Sequence, residues 1–159
     1  MSTAHVITVS DGVFRGERTD DSGAALANLL TRAGFEVGGP QLVPDEVERI
    51  AEAVVTAVAR GVDLVVATGG TGLGPRDVTP QAISSLIDYE VPGIGEAMRR
   101  AGADTTPMAL LSRSMAGVRK RTLIISVPGS PKGATESLEA VMPVLSHAIQ
   151  LLHGDTAHT

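Results

Sequence analysis

The stretch "VDLVVATGGTGLGPRDVTP", Val62–Pro80, decides the fold. Its opening, "VDLVVA" (Val62–Ala67), is apolar apart from Asp63 and has the length and β-branched content of a buried strand. Gly69, Gly70, Gly72 and Gly74 come next. The run "QAISSLID" then reads as a helix, with Thr79 placed at its N-cap and Pro80 at the first helical position. Strand, glycine loop and helix in that order form the basic unit of an α/β protein.

The pattern repeats outward. "HVITVS" (His5–Ser10) reads as a first buried strand, and "DDSGAALANLLTRAG" as a helix capped by Asp20, Asp21 or Ser22 and stopped at Gly34. "FEVGGPQLVP" is a weaker strand, interrupted by Gly-Gly-Pro. In "DEVERIAEAVVTAVARG", Val47, Ile50, Ala51, Val54 and Val58 form a helical stripe. "VPGIGEAMRRAG" gives a short helix, the "RKR" at Arg119–Arg121 a solvated turn, and "TLIISV" another strong strand. The last helical segment contains Pro143, which predicts a break or kink there. Strands alternate with helices, and the central strands are continuously apolar. That predicts a three-layer α/β sandwich with a mostly parallel central sheet. One domain is expected over residues 1–154, with a frayed tail at 155–159.

Composition narrows the function. The 159 residues are 43% hydrophobic and 19% charged, ordinary values for a globular chain. Aromatic content is only 2%, which argues against single-strand nucleic-acid binding by base stacking. A net charge of −5 argues against nonspecific binding to nucleic acid or acidic membranes. With no cysteine, disulfides, thiolate metal sites and cysteine nucleophiles are excluded. The N-terminus lacks a basic region followed by a long apolar one, and no stretch approaches a membrane span. The expectation is a cytoplasmic protein.

The chemistry concentrates in loops after strands. Neither the Walker A pattern nor G-x-G-x-x-G fits Gly69, Gly70, Thr71, Gly72. Glycines still let the backbone approach an anion and aim N–H groups at it. "ISVPGSPKGATE" has the same layout, with Pro128, Gly129 and Ser130 in the turn and Lys132 as a point charge. Ser10 and Asp11 end the first strand on the same expected edge, where Asp11 is either a turn residue or a ligand to a hydroxyl. Asp45, with Glu48 three residues on, has the spacing of a helix cap. Asp77 is either punctuation or a ligand. Two such carboxylates at one loop edge would suit Mg²⁺ shared with phosphates. Arg113, beside Ser112, and Arg76 are further candidate anion ligands. The four histidines lack metal-ligand spacing, and there is no Gly-x-Ser-x-Gly elbow.

Four ordered motifs, "TGGTGLGPRDVTP", "VPGIGEAMR", "LLSRSMAG" and "LIISVPGSPKGATESL", resemble the MogA/MoaB family of molybdenum-cofactor biosynthesis, to which the gephyrin and plant Cnx G domains are related. The resemblance runs from "HVITVSD" to "HAIQLLHG". It implies an α/β sandwich that assembles as a homotrimer. It implies a molybdopterin adenylyltransferase that uses ATP and Mg²⁺, releases pyrophosphate, and passes adenylyl-molybdopterin to a separate molybdate-insertion protein. It implies that Asp45 and Asp77 are the functional acids, holding Mg²⁺. It further implies that Gly69–Gly72 and Pro128–Pro131 face the nucleotide, and that Ser112 and Arg113 face the pterin. The same resemblance admits two other readings: a MoaB-type paralogue with little transferase activity, and a nucleotide pyrophosphatase-like module.

Overall fold

The structure is a computed structural model and describes residues 1–156. Six strands build one sheet: β1 (Thr3–Val9), β2 (Glu36–Val43), β3 (Leu64–Thr68), β4 (Tyr89–Glu90), β5 (Ala116–Arg119) and β6 (Thr122–Val127). The helices are α1 (Asp11–Phe14), α2 (Asp21–Arg32), α3 (Val47–Ala59), α4 (Thr79–Ser84), α5 (Pro92–Ala103) and α6 (Pro131–Leu152), with a 3₁₀ turn at Pro107–Leu111. The strand order is β2-β1-β3-β6-β5-β4. β2, β1, β3 and β6 run parallel, while β5 and β4 pair antiparallel. The expected mostly parallel α/β architecture is therefore present, with an antiparallel edge.

Alternation along the strands makes three layers. Val6, Leu64, Val66, Leu123 and Ile125 join the α2, α5 and α6 side of the core. Their chain neighbours Ile7, Val65, Ala67 and Ile124 join the α3 and α4 side. Successive strand residues point to opposite faces, so both faces are apolar and both are covered. The weak strand β2 lies at the sheet edge, and its pairing with β1 shifts register between His5 and Ile7, opposite Gly38–Gln41. Pro40 has no N–H to give to a ladder, and an edge strand tolerates this.

Three local expectations are corrected. Thr79 does not cap α4; the cap position is Val78, without a side-chain bond. Asp45 does not cap α3; that position is Glu46, also without one. α6 runs unbroken through Pro143 for 22 residues. Pro143 is exposed, while Leu138, Val141, Leu145 and Ile149 on either side of it are buried in one core. Their burial outweighs the single backbone bond that proline removes. At the other end, Asp20 does cap α2, accepting from the Gly23 amide at 3.0 Å. Among the described residues no helix is long and apolar enough to cross a membrane. Of the expected tail, residues 157–159 lie outside the described residues.

Candidate active site

The four parallel strands end almost level. Thr8 pairs with Thr68, Thr68 with Val127, and Val9 with Val43. The loops after them therefore emerge at one edge, where open α/β sheets bind ligands. They are fastened to one another there. The Gly69 amide donates to the Val127 carbonyl at 3.0 Å, and the Ser10 amide to the Val43 carbonyl at 3.0 Å. Thr68 Oγ1 donates to the Pro128 carbonyl at 2.8 Å.

Glycine is required at two positions in the central loop. Gly69 and Gly70 have φ of 104° and 67°. A Cβ on Gly69 would stand against the Val9 carbonyl oxygen, and one on Gly70 against Thr79 Oγ1. The buried Thr79 hydroxyl donates instead to the Gly69 carbonyl at 2.8 Å. Farther along the loop, Asp77 Oδ2 accepts from the Gly74 amide at 2.9 Å. Asp77 thus closes its own turn through one oxygen. Arg113 fixes the loop from outside: it donates to the carbonyls of Gly72 at 2.9 Å and Asp77 at 2.8 Å, and to Gln81 Oε1 at 3.3 Å.

Two cavities open on this edge. One, of about 470 Å³, has an apolar wall of Met98, Met108, Ala109 and Leu111, with Ser112 and Ser114 among its polar groups. The other, of about 700 Å³, is polar and lined by Ser10, Arg18, Asp20, Asp21, Asp45 and Ser130 among others. Gly70, Asp77, Gly129 and Ser130 line both. The cavities therefore meet along a seam made by the two glycine loops. The seam is narrow by necessity, since a Cβ on Gly129 would stand 3.3 Å from the Gly69 Cα.

Asp45 owes its place to Asp11. The Asp11 amide donates to Asp45 Oδ2 at 2.9 Å, and the Asp45 amide donates to Asp11 Oδ1 at 3.0 Å. Arg76 holds Asp11 from the other side, Nε to Oδ2 and Nη2 to Oδ1, both at 3.1 Å. This arrangement sets the charge balance. Burial pushes the Asp45 carboxyl up from its ordinary range, and the Asp11 and Asp77 charges add to this, against the Asp11 amide bond. The Arg76 hydrogen bond holds Asp11 down.

The structure brings Ser10, Asp45, Gly69, Gly70, Asp77, Gly129 and Ser130 onto the polar cavity. Thr71, Gly72, Ser112 and Pro128 face the apolar one. Asp11, Arg113 and Lys132, expected as ligands, line neither cavity. Asp11 and Arg113 are engaged with protein groups, and Lys132 lies 3.9 Å from Glu136. Sequence reasoning missed Arg18, on the polar cavity, and Met98 and Arg99, on the apolar one. Met98 and Arg99 lie within the motif "VPGIGEAMR", which was the available signal.

A sheet edge with two abutting cavities defines a ligand-binding α/β domain. Residues 5–147 match the family model described as "Probable molybdopterin binding domain". The chain belongs to this MogA/MoaB family of molybdenum-cofactor biosynthesis. It is 42% identical to a molybdenum cofactor biosynthesis bifunctional protein of Synechococcus elongatus, over 95% of this chain and 47% of that one. The chain thus spans about half the length of that curated relative. It is 37% identical to a molybdopterin adenylyltransferase of Helicobacter pylori, over 98% of this chain and 91% of that one. Among solved structures, it is similar to the molybdopterin biosynthesis enzyme MoaB of Thermus thermophilus, with 53% identity and a TM-score of 0.91 over 97% of this chain and 98% of that one.

Proposed function

We propose that this protein is a molybdopterin adenylyltransferase. The observation that carries the reading is the seam: two cavities of different character share Gly70, Asp77, Gly129 and Ser130. A transferase joining two ligands needs this arrangement, since each substrate has its own pocket and the reacting ends meet between them. The apolar wall of Met98, Met108 and Leu111 suits the flat pterin ring, with Ser112 at its polar rim. The polar cavity suits ATP, whose ribose and phosphates need hydrogen-bond partners.

A terminal phosphate oxygen of molybdopterin attacks the α-phosphorus of ATP. A new phosphorus–oxygen bond forms there, the bond to the bridging α,β oxygen breaks, and pyrophosphate leaves with that electron pair. The nucleophile is already an anion, so no strong base is needed. Positioning and charge neutralisation supply the catalysis. The Gly69 and Gly74 amides are spent on Val127 and Asp77, so it is the other amides of the two glycine loops that would face the phosphates.

The donor set fits Mg²⁺. Among the described residues no group of three His, Cys, Asp or Glu side chains could hold a metal alone. Asp45 and Asp77 both line the polar cavity, and each spends one carboxylate oxygen on a backbone amide, which leaves the other for a ligand. Two carboxylates with substrate phosphates are a usual Mg²⁺ set. When bound there, the ion would offset phosphate charge. Cytoplasmic location, assembly as a homotrimer and delivery of the product to a molybdate-insertion protein belong to the same reading.

The 53% identity to the Thermus MoaB leaves a second reading, a MoaB-type protein in which the ligands bind and little transfer follows. One experiment separates the two. The protein is incubated with molybdopterin, ATP and Mg²⁺, and pyrophosphate and adenylylated pterin are measured. Production of both at catalytic rates supports the transferase. Binding without product supports the second reading. ATP hydrolysis without pterin contradicts both.

A further inference from the structure

We propose that Arg76 is a positioning residue: through the Asp11 carboxylate it holds Asp45 on the polar cavity that it shares with Asp77. The inference rests on the transferase reading for its purpose and on geometry for its substance. Asp45 lies just beyond the end of β2, and its side chain caps nothing in α3. The bond from the Asp11 amide is what holds its carboxylate in place. Asp11 sits in α1, a helix of four residues with no buried side chain to anchor it. The Asp11 carboxylate is held by the Asp45 amide on one side and by the guanidinium fork, two N–H bonds of 3.1 Å, on the other. A fork of that kind defines the plane of a carboxylate as well as its distance.

Arg76 is also the chain neighbour of Asp77. The loop that carries one carboxylate therefore reaches across 65 residues to hold Asp11, which in turn exchanges hydrogen bonds with the residue that carries the other. Arg76 lines neither cavity, and its guanidinium is engaged by Asp11. Its side chain is 61% exposed, so the pair adds little to global stability. Loss of Arg76 should loosen the Asp11–Asp45 exchange of hydrogen bonds while the sheet stays intact.

The test uses the full chain as R76A and R76K, with three readouts. Amide hydrogen exchange of Asp11 and Asp45 should quicken about 10-fold or more in both variants, as expected for local opening. The melting temperature should change by no more than about 2 °C. The Mg²⁺ concentration for half-maximal transfer should rise about 10–100-fold, in the range seen when residues supporting metal ligands are removed. Lysine keeps the charge and loses the fork, so R76K should resemble R76A. Unchanged exchange at Asp11 and Asp45 in R76A would overturn the proposal. So would full recovery in R76K, or a uniform rise in exchange across the sheet with a lower melting temperature. If the wild-type protein makes no adenylyl-pterin, the transferase reading fails, and the exchange measurement still decides the clasp.

Discussion

The hydroxyl of Thr79 donates a 2.8 Å hydrogen bond to the carbonyl of Gly69, and no solvent reaches the threonine. Together with the Thr79 amide bond to the Gly70 carbonyl at 3.1 Å, it ties the start of α4 to the start of the glycine loop. Thr79→Val keeps the shape and strands the Gly69 carbonyl. A buried acceptor without a donor costs about 1–3 kcal/mol. Thermal unfolding should show a melting temperature lower by several degrees, and if the proposed adenylyl transfer is the activity, it should fall with it. A variant as stable as the wild type would show that the carbonyl finds another partner.

Asp77→Asn leaves the loop intact, because the amide oxygen still accepts from Gly74. The lost negative charge is the difference that matters. If Asp77 holds Mg²⁺, kcat/KM for transfer should drop about 100-fold or more, with the melting temperature and pterin binding preserved. Normal turnover would remove Asp77 from the metal site.

Asp45 should exact a cost in stability that depends on pH. Its carboxyl is raised in the folded state, chiefly by burial, above the ordinary value of 3.8. The folded state therefore holds that proton more tightly than the unfolded one. The stability it confers is present below the unfolded value and is lost as pH rises through the folded one. At neutral pH the ionised group opposes folding. Asp45→Asn should melt higher than the wild type at pH 7, and the gain should shrink toward pH 4; if Asp45 serves the proposed transfer, that activity should be lost. Calorimetry of both proteins across that range checks the sign.

Pro143 offers a gain with no functional site nearby. It is exposed within an otherwise continuous α6. Pro143→Ala restores a backbone hydrogen bond, and the intrinsic preference for alanine in a helix interior is about 3 kcal/mol. Part of this is offset by the freer unfolded chain, about 1 kcal/mol. A net gain of about 2 kcal/mol should raise the melting temperature by about 4–8 °C for a chain of this size. A lower melting temperature would mean that α6 needs its proline.

The central strands were legible because burial on both faces leaves an unmistakable apolar run, as at Leu64–Thr68 and Thr122–Val127. β4 and β5 were not, being two and four residues long and defined by pairing rather than by pattern. The glycine loops were legible as a candidate site, since four glycines exceed what a turn needs. The direction of a side chain was harder to read. Asp45 has the spacing of a cap, but its carboxylate bonds a residue 34 positions away. Arg113 and Lys132 show their charge in the sequence and not their partners, which are loop carbonyls for one and Glu136 for the other. Long-range hydrogen bonds leave no local period behind them.

The shared seam between the two cavities bears on how the product leaves. If the reaction joins the ligands there, the product is one molecule lodged in both pockets. Each half keeps the other at a high effective concentration, so the linked product grips more firmly than either substrate did. Pyrophosphate has no such tether and departs freely. Turnover would then be governed by the escape of the finished product, and a downstream acceptor that takes it directly from the protein would hasten the cycle more than any improvement in the bond-making step.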